Sequence, residues 1–290
     1  MQSSLVYHAG ALGDFITTLP AMSAWRAFHP RERIILLGKA AYGDLAERGV
    51  FNEVWEAGSL PFAPLFGAGP DPGTALRDRF RSMRSALLFC SPSSPLATNL
   101  GLLGVAEIVR QDPFPAEKVP IVDYHLSLFS GLAKTATDRI PHVRRSEPDI
   151  VVRPGTVALH PGSGDRKKNW PLEKFEELAG RLTSEGSDVR WVLGPAEDGF
   201  VLRGGSPAWR AVPLLHLAAR LSACRLFVGN DSGIAHLAAA GCPAVTLFGA
   251  SDPDVWAPCG PQVKVIRAPG TLASLSGEVV FAACRDFLRR

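Results

Sequence analysis

Short apolar runs recur along the chain, and most lead through a turn rich in small residues into a stretch with apolar positions three and four residues apart. SSLVYHA (3–9) reads as a strand, followed by Gly10, Gly13 and the helical pattern of DFITTLPAMSAWRAF. RIILLGK (33–39) and NEVWEAG (52–58) read as strands with the helix AAYGDLAERG between them, and SALLFCS (85–91) as a strand between the helices TALRDRFRSM and SPLATNLGLLG. The alternation then restarts. TVALHPGSG is a strand and turn, and PLEKFEELAGRLTSEG an amphipathic helix with Pro171 at its start and Gly186 at its end. DVRWVLGP, RLFVGND, AVTLFG and VKVIRAP read as further strands; VPLLHLAARLSAC, GIAHLAAAG and a last stretch from about Ser274 read as helices. Strands alternating with helices at this spacing imply parallel sheets covered on both faces.

The two halves begin alike. VYHAGALGDF and VALHPGSGDR each run from an apolar strand through a histidine and glycines to an acid. Two α/β domains of this kind would carry Gly-rich turns at the carboxyl ends of their strands, where ligands bind in open α/β sheets, and would enclose a cleft between them. The best linker is PHVRRSEPDIVVRPG (141–155), which holds three prolines and a mixed charge run. Domains of 1–150 and 151–290 are expected, with room for the final helix to pack back on the first.

Composition narrows the class. Of 290 residues, 46% are hydrophobic, enough for two cores, and 31 Lys and Arg against 28 Asp and Glu give a net charge of +3. So mild a balance points away from nucleic acid as a partner. Cys90, Cys224, Cys242, Cys259 and Cys284 are odd in number and dispersed, without Cys-x-x-Cys, so neither a disulfide framework nor a zinc site is expected. The N-terminus lacks a signal-peptide pattern, and no apolar run is long enough to span a bilayer. A cytoplasmic protein is expected, with the basic RDFLRR at the C-terminus leaving room for peripheral contact with a membrane surface.

Three stretches carry candidate chemistry. FVGNDSGIAHLAAAG (227–241) sets Asp231, Ser232 and His236 close together, but a nucleophile elbow needs Gly-x-Ser-x-Gly, and a triad draws its His and Asp from elsewhere in the chain. A helix start fits better: Asp231 or Ser232 caps it, Gly233 admits a ligand to the backbone, and free N–H groups face a phosphate. LHPGSGDRKKNWP (159–171) places Gly162, Ser163 and Gly164 before Arg166, Lys167 and Lys168 at a strand–helix junction, which suits a diphosphate while matching neither a P-loop nor a dinucleotide fingerprint. In GALGDFITTLP, Asp14 opens a helix as a cap or serves as a general base. Plainer readings are an ordinary capped turn with a core histidine, and a solvated charged loop. Asp252-Pro-Asp254 reads as surface turn residues rather than metal ligands.

Together these motifs resemble glycosyltransferase family 9, the lipopolysaccharide heptosyltransferase family. LGDFITTLPAMSAWRAFHP looks like its N-terminal signature, LHPGSGDRKKNWPLEKFEELAGRL like its Lys-x-Trp-Pro motif, and LFVGNDSGIAHLAAAGCPAVTLFGASDPDVWAPCG like its strongest signature. The resemblance implies a GT-B fold, two Rossmann-like domains with parallel sheets facing across a central cleft. It implies inverting, metal-independent transfer of a sugar, typically from ADP-heptose, to a lipopolysaccharide core acceptor, with no cofactor. By position, Asp14 would be the base; Lys168 would sit beside the donor; Ser163, Gly164, Ser232 and Gly233 would hold the pyrophosphate; Glu197 would contact the nucleoside; and Asp231 and His236 would complete the donor site. The family's usual basic residue six positions before the base is here His8, which implies a different acceptor or pH-dependent binding. A catalytically idle sugar-nucleotide binding module and a Rossmann oxidoreductase are the alternatives.

Overall fold

The structure, a computed structural model, describes residues 1–68, 73–130, 138–145, 149–197, 199–202 and 207–289. The chain divides into two compact units: Met1–Glu117 with Ile121–Asp138, and Lys118–Pro120 with Arg139–Arg290.

The first unit runs β1 (Ser3–His8), α1 (Leu12–Phe28), β2 (Arg33–Gly38), α2 (Ala40–Gly43), β3 (Glu53–Glu56), α3 (Thr74–Phe80), β4 (Met83–Phe89), α4 (Leu96–Leu102), β5 (Glu107–Gln111) and α5 (Ile121–Leu126). Its sheet has the order β3-β2-β1-β4-β5, parallel throughout. Leu5 and Val6, Ile34 to Leu37 and Ala86 to Phe89 are consecutive buried residues, as strands covered on both faces require. In α1 every residue from Phe15 to Met22 is buried, so this helix lies inside its unit rather than on one face. β5 and α5 have no counterpart in the sequence expectation. β5 is a half-exposed edge strand with little apolar signal, and α5 takes its place by packing on α1. α2 ends at Gly43, short of the expected Gly49, where the chain passes so close to β3 that a Cβ would lie 2.6 Å from Val54 Cγ2.

The second unit runs β6 (Thr156–His160), α6 (Leu172–Ser184), β7 (Asp188–Leu193), β8 (Ala208–Arg210), α7 (Leu214–Ser222), β9 (Leu226–Asn230), α8 (Gly233–Ala239), β10 (Ala244–Phe248), α9 (Pro253–Trp256), β11 (Val263–Arg267) and α10 (Gly277–Leu288). Its strands are parallel in the order β11-β10-β9-β6-β7-β8. The chain thus builds outward from β6 to β8, then returns to the other side of β6 with β9. Trp170, Phe175, Trp191, Leu226, Val228, Val280 and Phe281 anchor the core between this sheet and the α6 and α10 helices.

One boundary differs from the expected one. The boundary falls at Asp138–Arg139 rather than near 150, and contacts of Arg145 and Asp149 agree with this: Arg145 Nη2 donates to Ala240 O at 3.4 Å, and Arg220 Nε to Asp149 Oδ1 at 2.9 Å. Part of the expected linker, residues 146–148, lies outside the described residues. The final helix, α10, packs on α6, β9 and β10 of its own unit, with Arg181 bridging to Glu278. None of the five cysteines is in a disulfide, and burial pushes the Cys242 and Cys284 thiols up to about 12, so these two act as small apolar groups. No helix among the described residues is long and apolar enough to cross a membrane.

Candidate active site

In the second unit the strand order reverses between β6 and β9, whose carboxyl ends lie side by side with His160 paired to Gly229. Such a switch point leaves a crevice at the strand ends. The Gly-rich turn after β6 and the Asn-Asp-Ser-Gly turn after β9 meet there. Asn230, fully buried, joins them: its Oδ1 accepts from Trp170 N at 3.0 Å and its Nδ2 donates to Pro161 O at 2.8 Å. One side chain thereby fixes both ends of the 161–170 loop. Within that loop Ser163 Oγ donates to Asp165 O or Asn169 Oδ1, each at 2.6 Å, and Asp165 caps the short 3₁₀ turn Arg166–Lys168. A Cβ on Gly164 would meet nothing within 4 Å, which leaves this backbone open to a ligand.

Lys168 folds back across the crevice, and its Nζ donates to Asp231 Oδ2 at 2.8 Å. The Asp231 side chain is only 8% exposed, and the same oxygen accepts from Ser251 Oγ. The cap of α8 is Ser232, whose Oγ accepts from Ala235 N at 3.2 Å; Asp231, the other candidate, is committed to Lys168. Ser232 is therefore a capping hydroxyl and not a nucleophile. His236, one turn on, is buried, and burial holds its pKa down to about 4, with Asp231 pulling it up and Lys168 pushing it down. It is a neutral imidazole at neutral pH.

Glu197 lies on the other flank. It is 4% exposed; its Oε2 accepts from Gly194 N at 2.7 Å, and a Cβ on Gly162 would fall 1.8 Å from its Oε1. Glycine is needed at 162 because the Glu197 carboxylate occupies the space where a side chain would begin. His160, at the end of β6, donates from Nδ1 to Val192 O at 2.9 Å; burial keeps it neutral.

In the first unit Asp14 occupies the third position of α1, not the cap. The cap is Ala11, whose N donates to Asp14 Oδ2 at 3.1 Å, and the carboxylate is partly exposed. A Cβ on Gly10 would lie 3.1 Å from both Asp14 Oδ2 and His8 Cε1, so acid and imidazole border one small turn. His8 lies in the core of the first unit rather than exposed at its turn. His8 is 3% exposed, ringed by Phe15 and Phe89, and its pKa is pushed down to about 3, by burial first and then by His125 and Lys39. The positive charge at this turn belongs to Lys39, whose Nζ donates to Gly10 O at 3.0 Å. Lys39 follows Gly38, the strand partner of His8, so the cation arrives from β2. Its position after an apolar strand was the available signal.

Ser163, Gly164, Lys168, Glu197, Asp231, Ser232, Gly233 and His236 all fall at the ends of β6, β7 and β9, while Asp14 belongs to the first unit. Asn230 and Ser251 were missed, because a buried amide and a turn serine show their partners only in three dimensions. Asp252 caps α9, and Lys118 Nζ lies 2.9 Å from Asp252 Oδ2 and 2.7 Å from Asp254 Oδ2. Among the described residues there is no group of three or more His, Cys, Asp or Glu placed to hold a metal ion.

Comparison with known proteins places this architecture. The profile of glycosyltransferase family 9 (heptosyltransferase) matches residues 121–276, more than half of the chain. Lipopolysaccharide heptosyltransferase 2 of Salmonella typhimurium is 34% identical over 91% of this chain and 87% of its own. The glycosyl transferase family 9 structure from Veillonella parvula superposes with a TM-score of 0.82 at 17% identity, covering 99% of this chain and 97% of that one. E. coli ADP-heptose lps heptosyltransferase II gives 0.77 at 21% identity, covering 99% of each chain. The chain belongs to glycosyltransferase family 9, the heptosyltransferase family, and is a glycosyltransferase with the GT-B fold of two parallel-sheet α/β domains.

Proposed function

We propose that the protein transfers heptose from ADP-heptose to a lipopolysaccharide core acceptor, with inversion and without a metal in the chemical step. The observation that carries this reading is the convergence, at the β6–β9 switch point, of an open Gly-rich turn, Lys168 and the capped start of α8. A diphosphate placed there meets backbone N–H groups and one ammonium, which stabilise the negative charge that grows on the leaving group. Glu197, beside the Gly162 turn, is positioned for the nucleoside. The names of similar proteins, lipopolysaccharide heptosyltransferase 2 and ADP-heptose lps heptosyltransferase II, support heptose as the sugar, ADP as the nucleotide and a lipopolysaccharide acceptor.

In the proposed step an acceptor hydroxyl oxygen bonds to the anomeric carbon while the bond from that carbon to the diphosphate breaks. ADP leaves with the electron pair, and Asp14 takes the hydroxyl proton. A positioned base of this kind contributes about 10²–10⁴-fold. Support for chemistry without a metal comes from the donor set: Lys118 neutralises Asp252 and Asp254, and Lys168 is the cation at the crevice. The acceptor is a glycolipid or glycan, and the expected location is the cytoplasm or the inner face of the inner membrane. The test is Asp14→Ala. Transfer should be lost while ADP affinity stays within about twofold, since the donor site belongs to the other unit; full activity would overturn the assignment.

A further inference from the structure

Asp231 is an unusual carboxylate for a site that receives a diphosphate. It is nearly buried, and its partner is the very cation the phosphates would need. Once Lys168 turns toward a ligand, the carboxylate needs another donor, since a buried charge left unpaired is costly. Only one other side chain is bonded to it among the described residues: Ser251, whose hydroxyl donates to Asp231 Oδ2.

The turn that carries Ser251 is firmly held. Asp231 N donates to Leu247 O at 3.0 Å, so the end of β10 fixes the Asp231 backbone, and Ser251 follows four residues later. The next residue, Asp252, caps α9 by accepting from Asp254 N at 3.1 Å. It is also bound by Lys118 at 2.9 Å and approached by Arg267 Nη1 at 3.8 Å. One edge of the crevice therefore presents the hydroxyl at a fixed point, independent of where Lys168 goes.

We propose that Ser251 is a positioning residue of the donor site, holding the Asp231 carboxylate in place so that Lys168 is free to engage the donor's diphosphate. The inference rests on the donor-site reading given above. Without this hydroxyl the carboxylate depends on Lys168 alone, the internal ion pair tightens, and the pair competes with the phosphates. Lys168 carries three donors, so with Ser251 in place it can keep a loose contact to Asp231 while reaching the ligand.

The test compares Ser251→Ala and Ser251→Thr with the unaltered protein by calorimetric titration with ADP and by steady-state kinetics with ADP-heptose. Ser251→Ala should weaken ADP binding and raise the donor KM by about three- to tenfold, the range of a net hydrogen bond, with kcat little changed. Ser251→Thr, which restores a hydroxyl, should recover most of the loss. Unchanged ADP affinity in Ser251→Ala would overturn the proposal. So would a loss that threonine does not rescue and that accompanies a fall in Tm, since that marks a merely structural serine. If the unaltered protein binds no ADP, the donor-site reading itself fails, and this inference with it.

Discussion

Replacing Asn230 by aspartate changes one atom group in the middle of the crevice. The amide is fully buried and its orientation is fixed by its partners, an N–H donor on Trp170 and the carbonyl of Pro161. Aspartate still accepts from Trp170, but an ionised Oδ2 would face the Pro161 oxygen, 2.8 Å from the present Nδ2. The chain has two ways out. It can leave the charge in place beside an unsatisfied carbonyl, which costs several kcal/mol. Or it can protonate the acid, so that an O–H replaces the N–H. From a reference pKa of about 3.9, protonation at pH 7 costs about 4 kcal/mol, and this falls by about 1.4 kcal/mol per pH unit. Protonation bounds the penalty, so Asn230→Asp should destabilise the second unit by about 3–4 kcal/mol at pH 7 and by only about 1.5 kcal/mol at pH 5. At about 2–4 °C per kcal/mol for a unit of this size, the melting transition should drop by roughly 6–16 °C at pH 7, with the gap narrowing in acid. Calorimetric scans of both proteins at the two pH values measure this. A variant within 2 °C of the unaltered protein at pH 7, or a gap that widens on acidification, would refute the clamp.

Gly162→Ala should expel the Glu197 carboxylate, because the new Cβ would lie 1.8 Å from its Oε1 and 2.3 Å from its Cδ. We expect ADP affinity to fall about tenfold, of the order of one charge-assisted hydrogen bond, with the fold retained; titration with ADP checks this, and unchanged affinity contradicts it. The buried histidines set the acid limit of stability. His8 and His125 of the first unit have pKa values pushed down to about 3 and 4, so the unfolded chain takes up protons below about pH 6.5 while the folded unit does not. Stability is unaffected by these groups above that pH and falls below it, by up to about 1.4 kcal/mol per pH unit for each histidine. His125→Gln should flatten this decline between pH 6.5 and 4.5 in denaturant titrations, and an unaltered slope would count against the assignment.

Much of this architecture is legible because local rules and tertiary structure agree. The turns after β6 and β9 announce themselves by small residues behind apolar strands, since small residues let two strand ends lie close and leave a crevice beside them. The likeness between HAGALGD and HPGSGDR is seen in the structure as His8 and His160 at the ends of the first strand of each sheet. What stays hidden depends on partners distant in sequence. Asn230 looks like an ordinary turn residue until Pro161 and Trp170 arrive from 69 and 60 positions away. Ser251 faces Asp231 across the β9–β10 ladder, and Lys39 reaches the Asp14 turn from the neighbouring strand. β5 is short and half-exposed, so it carries too little apolar signal to separate from a loop. Residues 141–155 read as linker by composition, but side-chain contacts such as those of Arg145 with Ala240 and of Asp149 with Arg220 tie parts of that stretch to the second unit.

The most direct test of the proposed activity is ADP release from ADP-heptose, followed in EDTA with and without a purified lipopolysaccharide core acceptor. Release that depends on the acceptor, with one heptose transferred per ADP, is the predicted result. No acceptor-stimulated release, or release that requires added divalent metal, would contradict the account.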